Sequence, residues 1–153
     1  MESAFTTTGN LKSKPDDAAL GFGTIFTDYM FNMDYAPDNG WHSPRIEPYA
    51  SIEMDPATMY LHYGQGVFEG LKAYRTESGR IQLFRPQENL KRLNRSCRRL
   101  CIPEVDEGFV LDAMKQLIGT EKDWVPAAPE TSLYIRPTII AMDPFLGVRA
   151  SYT

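Results

Sequence analysis

Residues 60–74 read YLHYGQGVFEGLKAY, and the rest of the chain is organised around them. The stretch is rich in aromatics, has glycines at 64, 66 and 70, and sets acidic Glu69 near basic Lys72. A plain structural strand rarely needs that mixture. The glycines predict a tight bend and a close approach of backbone. From Val67 to Tyr74 the pattern alternates as a strand does. Phe68, Gly70, Lys72 and Tyr74 point one way, and Val67, Glu69, Leu71 and Ala73 the other. The missing side chain at Gly70, two residues from Phe68, leaves room for a flat ligand. The plainer reading is an irregular turn feeding a sheet.

Upstream, residues 1–20 are polar and poorly periodic and read as a flexible N-terminal arm. Residues 22–35, FGTIFTDYMFNMDY, are strand formers with aromatics on both faces. Residues 36–44 read as a turn around Asn39-Gly40. Residues 45–54 form a second extended segment, demoted to an edge or irregular strand by Pro48. Met59 to Tyr63 is one helical turn or a loop. Downstream, Ser78-Gly79 marks a hairpin turn and residues 81–84 the returning strand. Pro86 starts a helix at a position that tolerates its missing N–H. Leu90, Leu93, Cys97 and Leu100 give that helix a core-facing stripe, and Arg92, Arg95 and Arg99 a basic one. Ile102-Pro103 ends it. Asp106 caps a second helix, with Val105 and Val110 placed as a hydrophobic staple. That helix buries Val110, Met114 and Leu117, and Gly119 is its expected C-cap. Residues 132–141, SLYIRPTIIA, are the last strand.

The whole chain has 153 residues, a single-domain length, and at 42% hydrophobic it can build a core. Its net charge of -4 disfavours nonspecific nucleic-acid binding and polybasic membrane contact. No apolar run reaches bilayer-spanning length, and the N-terminus lacks the apolar segment of a secretory signal. Two cysteines, Cys97 and Cys101, argue against a disulfide scaffold and fit a cytoplasmic setting. The fold class expected is α/β of the α+β type. A predominantly antiparallel sheet carries two helices on one face, and the other face needs a partner.

Few constellations carry chemistry. Tyr134 and Arg136 lie two apart on a strand and share a face. A phenol beside a guanidinium can bind a carboxylate by charge-assisted hydrogen bonds; the alternative is an internal salt bridge to an acid elsewhere. The run KRLNRSCRR offers many basic side chains, most of them a solvated face, with one or two able to reach a phosphate. His42 and His62 have no metal-ligand pattern around them. The glycines do not form a phosphate loop, because no Lys-Ser/Thr follows.

Four runs together resemble a known family: FGTIFTDYMF, LHYGQGVFEGLKAYR, LFRPQENLKRLNRSCRRLCIP and SLYIRPTIIAMDPFLGV. They are similar to the N-terminal part of the branched-chain amino acid aminotransferases, fold-type IV pyridoxal phosphate enzymes. The wording WHSPR and LYIRP is closer to the larger, eukaryote-like group than to the shorter bacterial one. The resemblance implies the small N-terminal domain of the D-amino acid aminotransferase-like fold over residues 21–141. Residues 142–153 would begin the interdomain loop, with the large domain lying beyond. It implies pyridoxal 5'-phosphate as cofactor, held by Arg92 at its phosphate. Phe22, Tyr63, Phe68, Tyr134, Arg136, Leu146 and Val148 are implied substrate-binding residues, Leu146 and Val148 being offered to the other subunit of a homodimer.

The Schiff-base lysine of the family lies in the large domain, so none of Lys12, Lys14, Lys72, Lys91, Lys115 and Lys122 takes its place. The chain alone is therefore expected to be inactive. Completed by the large domain, it is expected to move amino groups between leucine, isoleucine or valine and 2-oxoglutarate. The rival readings are another fold-type IV enzyme, such as a D-amino acid aminotransferase or an aminodeoxychorismate lyase, and a non-catalytic dimerisation or partner-binding domain.

Overall fold

The structure, a computed structural model, describes residues 3–7 and 9–153. Its elements run β1 (Ala4–Phe5), β2 (Tyr29–Ala36), β3 (Gly40–Pro48), α1 (Met59–Tyr63), β4 (Gly66–Phe68), β5 (Leu71–Arg75), β6 (Ile81–Leu83), α2 (Pro86–Arg99), α3 (Glu107–Thr120), β7 (Leu133–Ile135) and β8 (Thr138–Ile140). Short 3-10 turns lie at Asp17–Ala19 and Lys122–Trp124. The class is mixed α/β with mostly antiparallel pairing, as expected. The sheet is divided, however, into the orders β1-β3-β2, β4-β8 and β6-β5-β7.

The 22–35 strand is shorter than its composition predicts. Ladder pairing begins only at Tyr29, opposite Pro48. Residues 22–28 carry Gly23 in a left-handed conformation and run irregularly instead. The β2–β3 turn is confined to three residues, with the Asn39 N–H donating to the Ala36 carbonyl and Gly40 at φ 63°. The strand therefore resumes at Gly40, inside what the sequence reads as loop. Within the stretch read as a loose arm, Ala4 and Phe5 pair in parallel with Arg45 and Ile46. The Asp17 carboxylate accepts from the N–H groups of Ala127 and Ala128.

The two long helices, α2 and α3, form for the reasons the sequence supplies, with corrections at their ends. Leu90, Leu93 and Cys97 are buried on α2, packed with Val67, Leu71 and Ala73 from the strands. Leu100 is not in that stripe; it lies at the helix end, 43% exposed. There the chain turns through Cys101 at φ 53°, and the Ile102 N–H reaches back to the Cys97 carbonyl. That closes the helix with a left-handed residue just past its end, a place where glycine is usual. Asp106 caps α3 by accepting from the Phe109 N–H at 2.8 Å. Val105 and Val110 both join the core cluster. Gly119 is not the C-cap: α3 continues through Thr120 and ends at Glu121, whose φ of -96° needs no glycine. The buried face of α3 is Ala113, Met114 and Ile118, with Val110 only partly covered.

One bend places the site. The 67–74 run and the 132–141 run are each read as single strands, yet each is two. β4 pairs with β8 and β5 with β7. Phe68 faces Thr138 and Leu71 faces Ile135, so the register is continuous across the break. Glu69 therefore stands opposite Pro137, and Gly70 opposite Arg136. Pro137 has no N–H to give, which interrupts the ladder. Its carbonyl still accepts from the Glu69 N–H at 2.9 Å. The result is one antiparallel ribbon, creased at its middle.

Candidate functional site

The crease sorts its side chains as the alternation predicts. Val67, Glu69, Leu71 and Ala73 are buried, whereas Phe68, Lys72 and Tyr74 are exposed. The sequence predicts room for a flat ligand at Gly70, but that space is already filled. A Cβ there would lie 2.1 Å from Tyr134 Oη, so the glycine makes room for the tyrosine ring. Arg136 Nη2 donates to Tyr134 Oη at 2.9 Å, and the Arg136 guanidinium sits 4.2 Å from the Phe68 ring centre. Phe22 meets Tyr134 edge-on at 5.0 Å between centroids. Four of the expected residues, Phe22, Phe68, Tyr134 and Arg136, thus form one contiguous group. Among the described residues no carboxylate pairs with Arg136. The internal salt bridge, the alternative reading of Tyr134 and Arg136, is absent there.

On the opposite side of the ribbon, Glu69 is 3% exposed. Arg92 from α2 grips it twice, Nε to Oε1 at 2.6 Å and Nη2 to Oε2 at 2.7 Å. Asn89, one turn earlier on the helix, donates to Glu69 Oε2 at 3.0 Å and to the Gly70 carbonyl at 3.2 Å. Arg92 holds the Glu69 carboxyl below the usual carboxylate range, with Asn89 adding to it and burial opposing. The same bond raises the Arg92 pKa. The Arg92 side chain remains 59% exposed, and Nη1 has no partner among the described residues. A guanidinium has two donor edges. One is spent on Glu69 and the other faces outward, as an anion such as a phosphate requires.

Tyr63, Leu146 and Val148 are not part of the Phe22–Arg136 group. Tyr63 is half-exposed at the end of α1, near the His62 ring. Leu146 and Val148 project from the 142–153 loop, Val148 fully exposed. The two regions are nonetheless joined. The Met59 N–H donates to the Asp143 carbonyl, and Thr58 bridges to Pro144. The loop is closed on itself at Asp143, whose carboxylate accepts from Arg149 Nη1, the Tyr152 N–H and Thr153 Oγ1 at 2.6–2.9 Å. Gln65 ties it down, accepting from the Ser151 N–H at 3.0 Å and donating to the Leu100 carbonyl at 2.8 Å.

A concavity of about 1890 Å³ opens beside the crease, walled by the β2–β3 hairpin, α3 and the β7–β8 ribbon. Phe22, Tyr134, Arg136 and Lys72 line it; Tyr63, Phe68, Arg92, Leu146 and Val148 do not. Glu69 and Asn89 escaped the sequence reading of the site. The signal was a single carboxylate on an otherwise apolar face, Val67, Glu69, Leu71, Ala73, which demands a cation nearby.

The chain matches no protein-family model. It is 61% identical over 140 residues to branched-chain-amino-acid transaminase 1 of Bacillus subtilis, across 92% of this chain. It is 60% identical over 146 residues to branched-chain-amino-acid aminotransferase 2 of the same organism, across 95%. The chain spans about 40% of the length of these relatives. Among solved structures it is similar to the T.th. branched-chain amino acid aminotransferase complexed with N-(5'-phosphopyridoxyl)-L-glutamate. There the TM-score is 0.56 and identity 30%, over 69% of this chain and 33% of that one. The same enzyme with pyridoxamine 5'-phosphate superposes equally well, at a TM-score of 0.56 over 69% of this chain and 32% of that one. No described helix is long and apolar enough to cross a membrane.

Proposed function

We propose that this chain, which belongs by sequence to the branched-chain amino acid aminotransferases, supplies part of the cleft of such an enzyme, with residues on both sides of one creased ribbon. The completed protein would exchange an amino group between leucine, isoleucine or valine and 2-oxoglutarate. The observation that carries this reading is the crease. Its outer face gathers Phe22, Phe68, Tyr134 and Arg136, and its inner face fixes Arg92 with one donor edge outward.

Arg92 would hold the phosphate of pyridoxal 5'-phosphate. The donor set fits that group, because the outward guanidinium edge is charged, planar and reachable from solvent. When bound, the cofactor supplies an electron sink for the pair released from the amino acid Cα. Arg136 would take the substrate carboxylate. Its charge is uncompensated by any described acid, and Tyr134 Oη fixes the direction of its Nη2 edge. Phe22 and Phe68 would flank the branched side chain and exclude water from it. Such apolar walls discriminate one methylene by only about 1–3 kcal/mol, so leucine, isoleucine and valine would all be accepted.

The amine that binds the cofactor would come from the part of the relatives' length that this chain does not match. Lys91 and Lys115 are paired with Glu88 and Asp112, and Lys12 Nζ is held by the carbonyls of Phe26 and Thr27. Homodimerisation would bring the exposed Leu146 and Val148 to the neighbouring subunit's cleft.

The test is glutamate formation by full-length protein given pyridoxal phosphate, leucine and 2-oxoglutarate. Turnover with all three branched amino acids, within about a hundredfold of one another, is expected. Folded, cofactor-treated protein with no turnover sinks the reading. So does a borohydride-trapped cofactor on Lys72.

A further inference from the structure

We propose that Glu69 is a positioning residue: it aims Arg92, so that the guanidinium offers one fixed edge to the anion it binds. The inference rests on the reading of Arg92 as the phosphate ligand and adds a residue to it. Glu69 is the one charged member of a buried strand face, and each of its oxygens is occupied. Oε1 receives Arg92 Nε, while Oε2 receives Arg92 Nη2, Asn89 Nδ2 and, at 3.4 Å, the Gly70 N–H. A buried carboxylate so tied cannot rotate. Its two bonds to Arg92 are parallel, and a planar fork on a planar carboxylate has one orientation. The arginine side chain, long and half in water, would otherwise sample several rotamers. Asn89 acts one step further out. It bonds both Glu69 and the Gly70 carbonyl, and so locks the carboxylate to the crease.

The sign of the effect separates aiming from charge balance. Glu69 also cancels part of the Arg92 charge. Were charge alone important, removing the carboxylate would tighten anion binding. If aiming dominates, removing it loosens binding. Pyridoxamine 5'-phosphate and pyridoxamine, compared on full-length protein by calorimetry, isolate the phosphate's share of affinity as a ratio.

Arg92→Ala is expected to collapse that ratio towards one. Glu69→Gln is expected to lower it about tenfold in the native background, the scale of one lost charge-assisted bond, and to leave it unchanged in the Arg92→Ala background. Asn89→Ala should lower it by a smaller factor in the same direction, and it decides the matter if Glu69→Gln fails to fold. A ratio that is unchanged or raised in Glu69→Gln, or in Asn89→Ala when only that variant folds, overturns the positioning role while leaving Arg92 as the ligand. An unchanged ratio in Arg92→Ala overturns both.

Discussion

Two arginines meet the same crease from opposite sides, and they are held by opposite means. Arg92 stands on a helix and is bound to a buried carboxylate by two short hydrogen bonds. Arg136 stands at the bend itself and is held by a phenol oxygen and the face of Phe68, with no described acid beside it. The first keeps a fixed direction at the expense of part of its charge. The second keeps its full charge but rests on softer contacts. An anion that stays bound through many turnovers suits the first arrangement. A carboxylate that must arrive and leave suits the second.

The comparison can be broken from either side. The largest effect should come from the platform beneath Arg92. Leu93 is 2% exposed, and Leu93→Ala should cost about 2–5 kcal/mol in urea unfolding while leaving the m-value unchanged. A loss under about 1 kcal/mol would mean that α2 is not seated as described. Next comes Gly70→Ala, which drives a methyl group into the Tyr134 hydroxyl. Overpacking of that kind costs about 1–3 kcal/mol. Here the damage should fall on Arg136, so KM for the amino acid should rise more than the Kd for pyridoxamine 5'-phosphate.

A subtler test uses acid. The Glu69 carboxyl is held below its unfolded value, chiefly by Arg92. Its contribution is therefore fully present above the unfolded pKa of about 4.3 and is lost as pH falls through the folded value. Glu69→Gln should cost about 1–2 kcal/mol at about pH 7, and the gap from the native protein should shrink steadily below about pH 4 in denaturant titrations. A gap independent of pH would show that shape, not charge, is what Glu69 contributes. The smallest effect should be Arg136→Lys, about 0.5–1 kcal/mol or less in stability, since its contact with Phe68 lies at an exposed site. A larger loss would mean that Arg136 is structural and not reserved for a ligand.

Much of this was legible in the chain. Period-two alternation put Glu69 with Val67, Leu71 and Ala73, and all four are buried. The shared face of Tyr134 and Arg136 is borne out by their hydrogen bond. Asp106 announces the start of α3 because an aspartate before an apolar run has one favourable use there. The crease was harder to see. The sequence reads 132–141 as one strand straight through Pro137, and continuous register on both sides hides a bend from any pattern of burial. The Glu69–Arg92 pair spans 23 positions, and no local rule reaches so far. The filling of the Gly70 hollow by Tyr134 was invisible for the same reason, since the ring comes from a strand 64 residues later. Gly119 misled because glycine usually ends a helix, whereas the end here is set by Glu121, whose carboxylate accepts from the Tyr29 N–H.

The turn after α2 also divides two sulfurs. Cys97 is sealed in the core, and burial pushes its thiol up to about 11; Cys101, four positions on, lies exposed. At neutral pH an alkylating reagent should therefore modify one cysteine per chain at once and the other only when α2 comes away from the strands. The delay before the second label is a built-in clock for the opening of the surface on which Arg92 stands.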